Sequence, residues 1–317
     1  MLVVAERLDA SADMVVDELN QRHVPVMRFD SGEFPQAVVL TASHEANRAG
    51  WRGVIDNGRR SVRLEEVRSV YYRRPGPPVI PQDVPEPYAT WARHQADAAL
   101  LNVMAALPVR WLNNPHQDRL ASHKPQQLVH ATQAGLRVPR SIITNDPQAA
   151  LGFAADINGP LICKPVLGGR LDTGTQRPLM VATHVLDPSE IDESLRLTAH
   201  YLQEAIPKAY EVRLTVVDGE PFACTITSTT AKAQTDWRTD PDGLSFATTR
   251  APDGVVAAVR RFMATYGMAF GAFDFAVTPT GEWVFFECNP AGTWAWVEHR
   301  TGLPIAAAHA DYLRGTT

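Results

Sequence analysis

Residues 271–290 read GAFDFAVTPTGEWVFFECNP, and this stretch decides the fold. Two runs of alternating apolar residues flank Thr280-Gly281, a pattern that predicts a β-hairpin. A two-residue turn at this dipeptide places Asp274 directly opposite Glu287, with Cβ atoms roughly 5 Å apart. Asn289 lies two residues beyond Glu287 and therefore on the same face.

The two faces of this hairpin differ in chemistry. Asp274, Glu287 and Asn289 offer oxygen atoms of the kind that bind Mg²⁺ together with phosphate oxygens and waters. Carboxylates this close repel unless a cation joins them, so we predict a metal site here. A solvent-facing hairpin with scattered acids is the alternative, but the flanking Trp283 and Phe285 argue against a wholly solvated face. The opposite face is expected to be apolar and to lie against a core, through Phe273, Phe275, Val277, Val284, Phe286 and Cys288.

The composition is that of a soluble globular protein. The chain has 317 residues, enough for two or three domains, with 45% hydrophobic and 21% charged residues. Its net charge of −5 argues against a nucleic-acid partner held mainly by charge. No run approaches the ~18 apolar residues of a membrane span, so no membrane partner is expected. Three distant cysteines predict neither disulfides nor a zinc site, and they fit a cytoplasmic protein.

The rest of the chain divides into recognisable elements. A strand over 2–5, a helix capped by Ser11 and a strand over 24–29 predict a small N-terminal α/β domain without a GxGxxG dinucleotide motif. A proline-rich loop follows over 75–87. The later elements are expected to be helices over 87–107 and 124–134, strands over 160–165 and near 179–186, a helix near 189–200, mostly β structure from 201 with a hairpin turn at Asp218-Gly219, a helix over 252–265 and the hairpin at 271–289.

Lys164 lies in the apolar strand PLICKP, just before a glycine-rich loop. A lysine there is costly to bury without an anionic partner. The loop contains Gly168 and Gly169, whose backbone N–H groups could fold over phosphates. A glycine pair also occurs in ordinary turns, so the loop alone does not identify a site. Together with Lys164 it favours phosphate binding.

Other polar residues follow in the strands of the C-terminal half. The segment Gln203 to Ile206 has a backbone that suits the edge of an adenine. Arg213 interrupts an apolar strand, and Arg238 follows later. The planar guanidinium suits phosphate and carboxylate oxygens, although a surface ion pair is the alternative for each arginine.

The order of these parts resembles the ATP-grasp fold over about residues 110–310. The matching parts are Lys124 before a helix, Lys164 with its glycine loop, QEAI at 203–206, EVR at 211–213, DWR at 236–238 and D…ExN at 274, 287 and 289. The resemblance implies an α/β protein, α+β in its catalytic half, in which an ATP-grasp fold follows a small N-terminal α/β domain. The implied segments are an N-terminal domain over 1–112, a central lid over 113–202 and a catalytic part over 203–317.

Finer matches are similar to the ATP-grasp ribosomal peptide maturases, the microviridin-type macrocyclases or graspetide synthetases. They are VYYRRPGPP at 70–78, LRVPRSIITND at 136–146, DWR at 236–238 and ECNPAGTWAWVE at 287–298. Such enzymes join an Asp or Glu side chain of a precursor peptide to a Ser, Thr or Lys side chain. This chain has Thr293 and Ala295 where the family more often has Gln and Gly.

The resemblance implies ATP and Mg²⁺ as cofactors. Arg213 and Arg238 would stabilise the γ-phosphate and then an acyl phosphate of the substrate. Asp274, Glu287 and Asn289 would hold the metal. The residues that would bind the nucleotide are Lys124, Lys164, Gly168, Gly169, Gln203, Glu204, Ile206 and Glu211.

The expected partner is a ribosomal precursor peptide with leader and core, and a homodimer is possible. An exposed edge of the hairpin over 212–227 is one candidate surface for strand addition by the peptide. Two other functions stay open: a ligase that adds free amino acids to a protein tail or small acid, and a nucleotide-binding regulator without turnover. The complete set of cations and metal ligands weighs against the regulator.

Overall fold

The N-terminal part begins with the predicted β-α-β unit. A computed structural model describes residues 1–167, 170–171, 179–228, 230, 236–237 and 243–315. The unit consists of β1 (Leu2–Ala5), α1 (Ala10–Gln21) and β2 (Met27–Phe29). The cap of α1 is Asp9, whose side chain accepts from Ala12 N–H at 2.8 Å. The predicted cap Ser11 is wrong, because Ser11 is buried on the inner side of the helix.

Two sheets form in this N-terminal part. Parallel pairing joins four strands in the order β2-β1-β6-β7. A separate three-stranded antiparallel sheet, β3-β4-β5, had no counterpart in the predicted elements. The predicted helix after the proline-rich loop is confirmed as α2. The elements are β3 (Val39–Ser43), β4 (Arg52–Asp56), β5 (Ser61–Arg63), β6 (Ser69–Arg73), α2 (Tyr88–Ala105) and β7 (Arg110–Leu112).

The middle of the chain forms a four-stranded antiparallel sheet in the order β12-β9-β13-β8. Its strands are β8 (Ser141–Thr144), β9 (Leu161–Lys164), β12 (His184–Leu186) and β13 (His200–Glu204). The helices of this part are α3 (Pro115–Ala121), α4 (Lys124–Gln133) and α5 (Pro147–Ile157). A separate two-stranded sheet consists of β10 (Arg170–Leu171) and β11 (Leu179–Met180). The predicted α-helix near 189–200 is wrong. Asp187 and Asp192 each cap a separate short 3₁₀ turn, which prevents one continuous helix.

The C-terminal part is a five-stranded antiparallel sheet in the order β16-β15-β14-β17-β18. Asp218 and Gly219 both have positive φ, 48° and 79°, as a tight hairpin turn requires. The hairpin of β14 and β15 lies inside the sheet, so its predicted free edge is wrong. The elements are β14 (Tyr210–Val217), β15 (Glu220–Ser228), β16 (Leu244–Thr249), α6 (Asp253–Tyr266), β17 (Phe270–Val277), β18 (Trp283–Asn289), α7 (Ala295–Thr301) and α8 (Ile305–Arg314).

The two faces of this sheet are covered differently. α4 and α6 cover one face and bury Phe273 and Phe275 with Phe262. On the other face, α7 and α8 pack with α1 and β1 over Phe270 and Ala272. Arg213 and Asp274 lie beyond that cover on the same face. No helix in the described part of the chain has the length and apolarity needed to cross a membrane.

The three-segment division of the chain remains a proposal. β13 runs from His200 to Glu204 and pairs within the middle sheet. A boundary at residue 202 would therefore fall inside a strand. We propose to place the boundary after Glu204, where the chain leaves that sheet.

The acidic hairpin pairs as predicted from Ala272 to Asp274 and deviates only between Asp274 and the loop. Asp274 lies opposite Glu287. The loop has three residues, 279–281, because Thr278 N–H donates to Glu282 O at 2.9 Å. A β-bulge then leaves Phe286 without a partner on β17, so Phe275 lies opposite Phe285. The extra loop residue and the bulge cancel, which restores the predicted register at Asp274.

The bulge also changes which aromatic residue enters the core. Phe285 is fully buried against Phe262 and Phe273, whereas Phe286 is only half-buried. The predicted core position of Phe286 is therefore wrong. The bulge turns the next side chain outward, and alternation cannot reveal this.

We expect Phe285→Ala to lower the free energy of unfolding by about 3–5 kcal/mol, because it opens a large cavity in the core. The matched variant Phe286→Ala should cost about 1 kcal/mol, since its ring is partly in water. Urea denaturation of both variants measures the difference. Equal losses would contradict the bulged register.

Candidate functional site

β14, β17 and β18 bring four predicted side chains together. Arg213 lies opposite Asp274 in the strand register, and its Nε is 3.1 Å from Asp274 Oδ1. Asn289 Nδ2 lies 3.4 Å from Asp274 Oδ2 and 3.3 Å from Glu287 Oε1. Arg213 and Asp274 are 3% and 5% exposed, so this charge cluster is largely shielded from water.

Two lysines approach this cluster from the middle of the chain. Lys124, the first residue of α4, places Nζ 3.4 Å from Glu287 Oε2 and donates to Pro165 O at 3.1 Å. Lys164 ends β9, and its Nζ donates to Gln203 Oε1 at 3.0 Å. The site therefore lies between the middle sheet and the C-terminal sheet.

The Lys164 ammonium is held in an unfavourable environment. Burial lowers its pKa to about 8; Lys124 also lowers it, while Glu287 and Asp274 raise it. The ammonium lies 4.7 Å from the centre of the Tyr201 ring. A phosphate group beside Lys164 would offset the loss of hydration.

The remaining predicted nucleotide residues lie around the strand end of β13. Gln203 is buried and also donates to Ser141 Oγ at 2.9 Å, which orients the amide toward Lys164. Glu204 and Ile206 are half-buried at the exit from the sheet. Glu211 is buried two residues before Arg213, hence on the same face, and pairs with Lys208.

Gly168, Gly169 and Arg238, which were also predicted as site residues, lie outside the described residues. The tryptophans of the segment 293–298 divide between core and site. Trp294 is fully buried and stacks on His309. Trp296 lies beside the Arg213 guanidinium, 5.9 Å from ring centre to Cζ, and contacts Trp237 and Phe246.

The acidic cluster fits a Mg²⁺ ion that shares its ligands with phosphate. The described residues contain no group of three or more His, Cys, Asp or Glu side chains that could hold a metal alone. Asp274 and Glu287 instead provide two carboxylates, each within 3.4 Å of the Asn289 amide. Such a partial set of oxygen ligands suits Mg²⁺ bound together with phosphates and waters.

Several known proteins are similar to this chain in fold. The family of the MvdD pre-ATP grasp domain matches residues 1–119. The macrocyclase MdnC from Microcystis aeruginosa MRC, solved with the precursor peptide MdnA, is 25% identical with a TM-score of 0.86, over 99% of this chain and 98% of that chain. The macrocyclase MdnB from the same organism is 29% identical with a TM-score of 0.80, over 98% and 97%.

This chain is an ATP-grasp ligase. Over its whole length it has the fold of the ribosomal peptide maturases, as predicted. A RiPP-associated ATP-grasp ligase from Chryseobacterium gregarium, in complex with ADP and a leader and core peptide, has a TM-score of 0.90 at 24% identity, over 100% of this chain and 96% of that one. No curated protein sequence matches the chain significantly.

Sequence reasoning missed Gln127, a residue of the ligase that fixes the acidic strand. Its buried amide accepts from Cys288 N–H at 2.8 Å and donates to Cys288 O at 2.8 Å. β18 is an edge strand, so these backbone groups would otherwise point away from the sheet unpaired. Gln127 thereby holds the residue between Glu287 and Asn289, one helical turn from Lys124. In the sequence, Gln127 was only a polar residue of a predicted helix, which does not reveal this role.

Asn113 has a similar role at the same open end of the hairpin, at Pro290, two residues beyond Cys288. Its buried amide donates to Phe270 O at 2.8 Å and to Pro290 O at 3.1 Å. Its Oδ1 accepts from Ala269 and Phe270 N–H groups, both at 2.9 Å. One side chain thus joins the start of β17 to the end of β18.

We expect Gln127→Met to raise the Mg²⁺ concentration for half-maximal ATP turnover by about 10-fold, since supporting hydrogen bonds orient metal ligands. Steady-state phosphate release against Mg²⁺ concentration measures this. The matched control is Val259→Ala, on the buried face of α6. It should lower the free energy of unfolding without changing the Mg²⁺ requirement. The same shift in both variants would reduce Gln127 to a general stabilising role.

ATP binding should take up a proton at about pH 9. Lys164 has a pKa of about 8 in the free ligase and is mostly neutral there. Phosphate oxygens favour the charged ammonium and raise its pKa. Calorimetry in two buffers of different ionisation enthalpy measures the proton uptake. Lys164→Met should abolish it, and equal uptake in both proteins would exclude Lys164 as the source.

Proposed function

We propose that this ligase uses ATP and Mg²⁺ to activate a side-chain carboxyl of a ribosomal precursor peptide as an acyl phosphate. A hydroxyl or amine side chain of the same peptide then closes the ring. The observation that carries the proposal is the convergence of Lys124, Lys164 and Arg213 on the acidic set at β17 and β18. Cations around two shielded carboxylates match the charge of a metal-bound triphosphate.

The nucleotide is placed on the inner face of the middle sheet. Ile162 shares the face of Lys164, and Val185 lies opposite Ile162 in the register. These apolar side chains provide a surface for the purine ring. Within the described residues, the N–H of Ile206 has no hydrogen-bond partner, which leaves it available to a nitrogen of the adenine edge.

Each residue near the phosphates has a separate task. Lys124 and Lys164 hold the α and β phosphates, and Asp274, Glu287 and Asn289 hold the metal. When bound, Mg²⁺ would offset the negative charge of the phosphate oxygens. Arg213 is buried, and its Nη1 has no hydrogen-bond partner among the described residues, so it can donate hydrogen bonds to the oxygens of the transferred phosphoryl group. Arg238 is proposed for the same task from its sequence position.

A peptide substrate is inferred from the whole-length similarity to MdnC, which was solved with its precursor peptide. The C. gregarium ligase was solved with both a leader and a core peptide. A leader far from the reacting side chains supplies binding energy that positions a flexible core. Homodimer formation and a cytoplasmic location also remain proposals.

We expect Asp274→Asn and Glu287→Gln each to lower ATP turnover on the order of 100-fold or more, because each removes a charge that holds the metal. Melting temperatures should stay near that of the parent. Phosphate release at saturating Mg²⁺ is the measurement. Asp253→Asn, at an exposed carboxylate, is the control. Parental turnover in either site variant would contradict the metal assignment.

The reaction itself should lower the mass of the precursor. Each ring closure removes one water and consumes one ATP, since a carboxyl joins a hydroxyl or amine through an acyl phosphate. Incubation of the ligase with ATP, Mg²⁺ and the peptide encoded beside its gene, followed by mass spectrometry, tests this. A mass gain by amino-acid residues would favour the amino-acid ligase. ATP binding without any mass change would favour the regulator.

A further inference from the structure

A cavity of about 450 Å³ lies at the end of β18, on the side of the site formed by the N-terminal domain. β6, α2 and α3 form its walls, and the backbone after Asn289 forms its inner end. Its polar lining is Tyr72, Arg74, Asp97, Asp118, Arg119 and Asn289. The function proposed above assigns only Asn289 among these residues.

Asp118 is the distinctive group in this cavity. Its Oδ1 is buried and has no hydrogen-bond partner among the described residues. Burial of a carboxylate oxygen in this way disfavours the charged form of the group. Burial raises the pKa of Asp118 to about 7, although Asn113 and Arg73 lower it in part. This carboxyl is therefore suited to accept a hydrogen bond or a proton near neutral pH.

The reaction requires three reactants, and two already have places. ATP lies between the two sheets, where Lys124 and Lys164 point. The activated carboxyl lies with Arg213, the buried cation. The third reactant is a hydroxyl or ammonium side chain, which needs an acceptor and a route to the acyl phosphate that avoids the nucleotide. The cavity satisfies both needs, because Asp118 and Asn289 both line it.

We propose that this cavity receives the hydroxyl or ammonium side chain of the precursor that attacks the acyl phosphate, with Asp118 as its hydrogen-bond and proton acceptor. The proposal rests on the function proposed above. Asp97 and Asp118 are balanced by Arg74 and Arg119, so the cavity is not strongly charged. The lining thus accommodates a neutral hydroxyl as well as an amine.

The chemical step balances with these groups alone. The nucleophile oxygen or nitrogen forms a bond to the acyl carbon, and the bond from that carbon to the phosphate oxygen breaks. Inorganic phosphate leaves with the electron pair. For a hydroxyl, its single proton passes to the Asp118 carboxylate and then to solvent. An ammonium group first loses one proton to solvent and becomes a free amine. During attack it passes a second proton to the Asp118 carboxylate, as the hydroxyl does.

Asp118→Asn keeps the size of the side chain and removes the proton acceptor. The precursor encoded beside the gene is incubated with ATP and Mg²⁺, with and without hydroxylamine. Hydroxylamine is a small free nucleophile that traps acyl phosphates as hydroxamates and needs no help from Asp118. We expect hydroxamate to form within about 3-fold of the parental rate, and ring closure to fall at least about 100-fold, the lower end of the range for a lost acid–base group.

Two further variants complete the test. Leu101→Trp fills the α2 wall without touching the carboxylate and should also lower ring closure while hydroxamate persists. It decides the question if Asp118→Asn does not fold. Asp156→Asn, at an exposed carboxylate of α5, is the control. Ring closure at the parental rate in either folded cavity variant, or equal loss of ring and hydroxamate, overturns the proposal. If the parent makes hydroxamate but no ring, the macrocyclase function itself fails.

Discussion

The register of β17 against β18 places two carboxylates side by side, Asp274 buried and Glu287 partly buried. Two anions so placed repel each other unless cations lie close. Arg213 supplies one cation at 3.1 Å and Lys124 another at 3.4 Å. The rest of the site depends on this pair, because any group that approaches it must be a cation or be accompanied by one.

The groups that meet this requirement come from different parts of the fold. Lys164 belongs to the middle sheet, Arg213 to the C-terminal sheet, and Arg74 to the N-terminal domain. An enzyme that joins three reactants benefits from such an arrangement, since each part of the fold can hold one of them. Two buried amides, Gln127 and Asn113, tie the acidic hairpin to the helices and the linker around it.

Much of this was predictable from local patterns. The alternation around Asp274 and Glu287 indicated their pairing, and the order of lysines, arginines and acids indicated the fold. The structure differs where the backbone departs from regular geometry. A three-residue loop and a bulge cancel in the hairpin, so the pairing of the acids was right although Phe286 was assigned to the core in place of Phe285. One extra residue in a strand leaves no trace in the residue types, because both side chains are phenylalanine.

Residue types and their spacing were enough to predict the oxygen ligands, the lysine in an apolar strand, the fold and the class of chemistry, because charge and alternation can be read from single residues and their neighbours. The contacts between residues distant in the chain depend on how the elements pack, and only the folded structure shows them. Gln127 caps the outer edge of β18, and Asp118 faces a cavity whose walls come from three separate segments. A polar residue on a helix looks the same in sequence whether it faces water, a strand edge or a reactant. Its role is set by the packing of the surrounding elements.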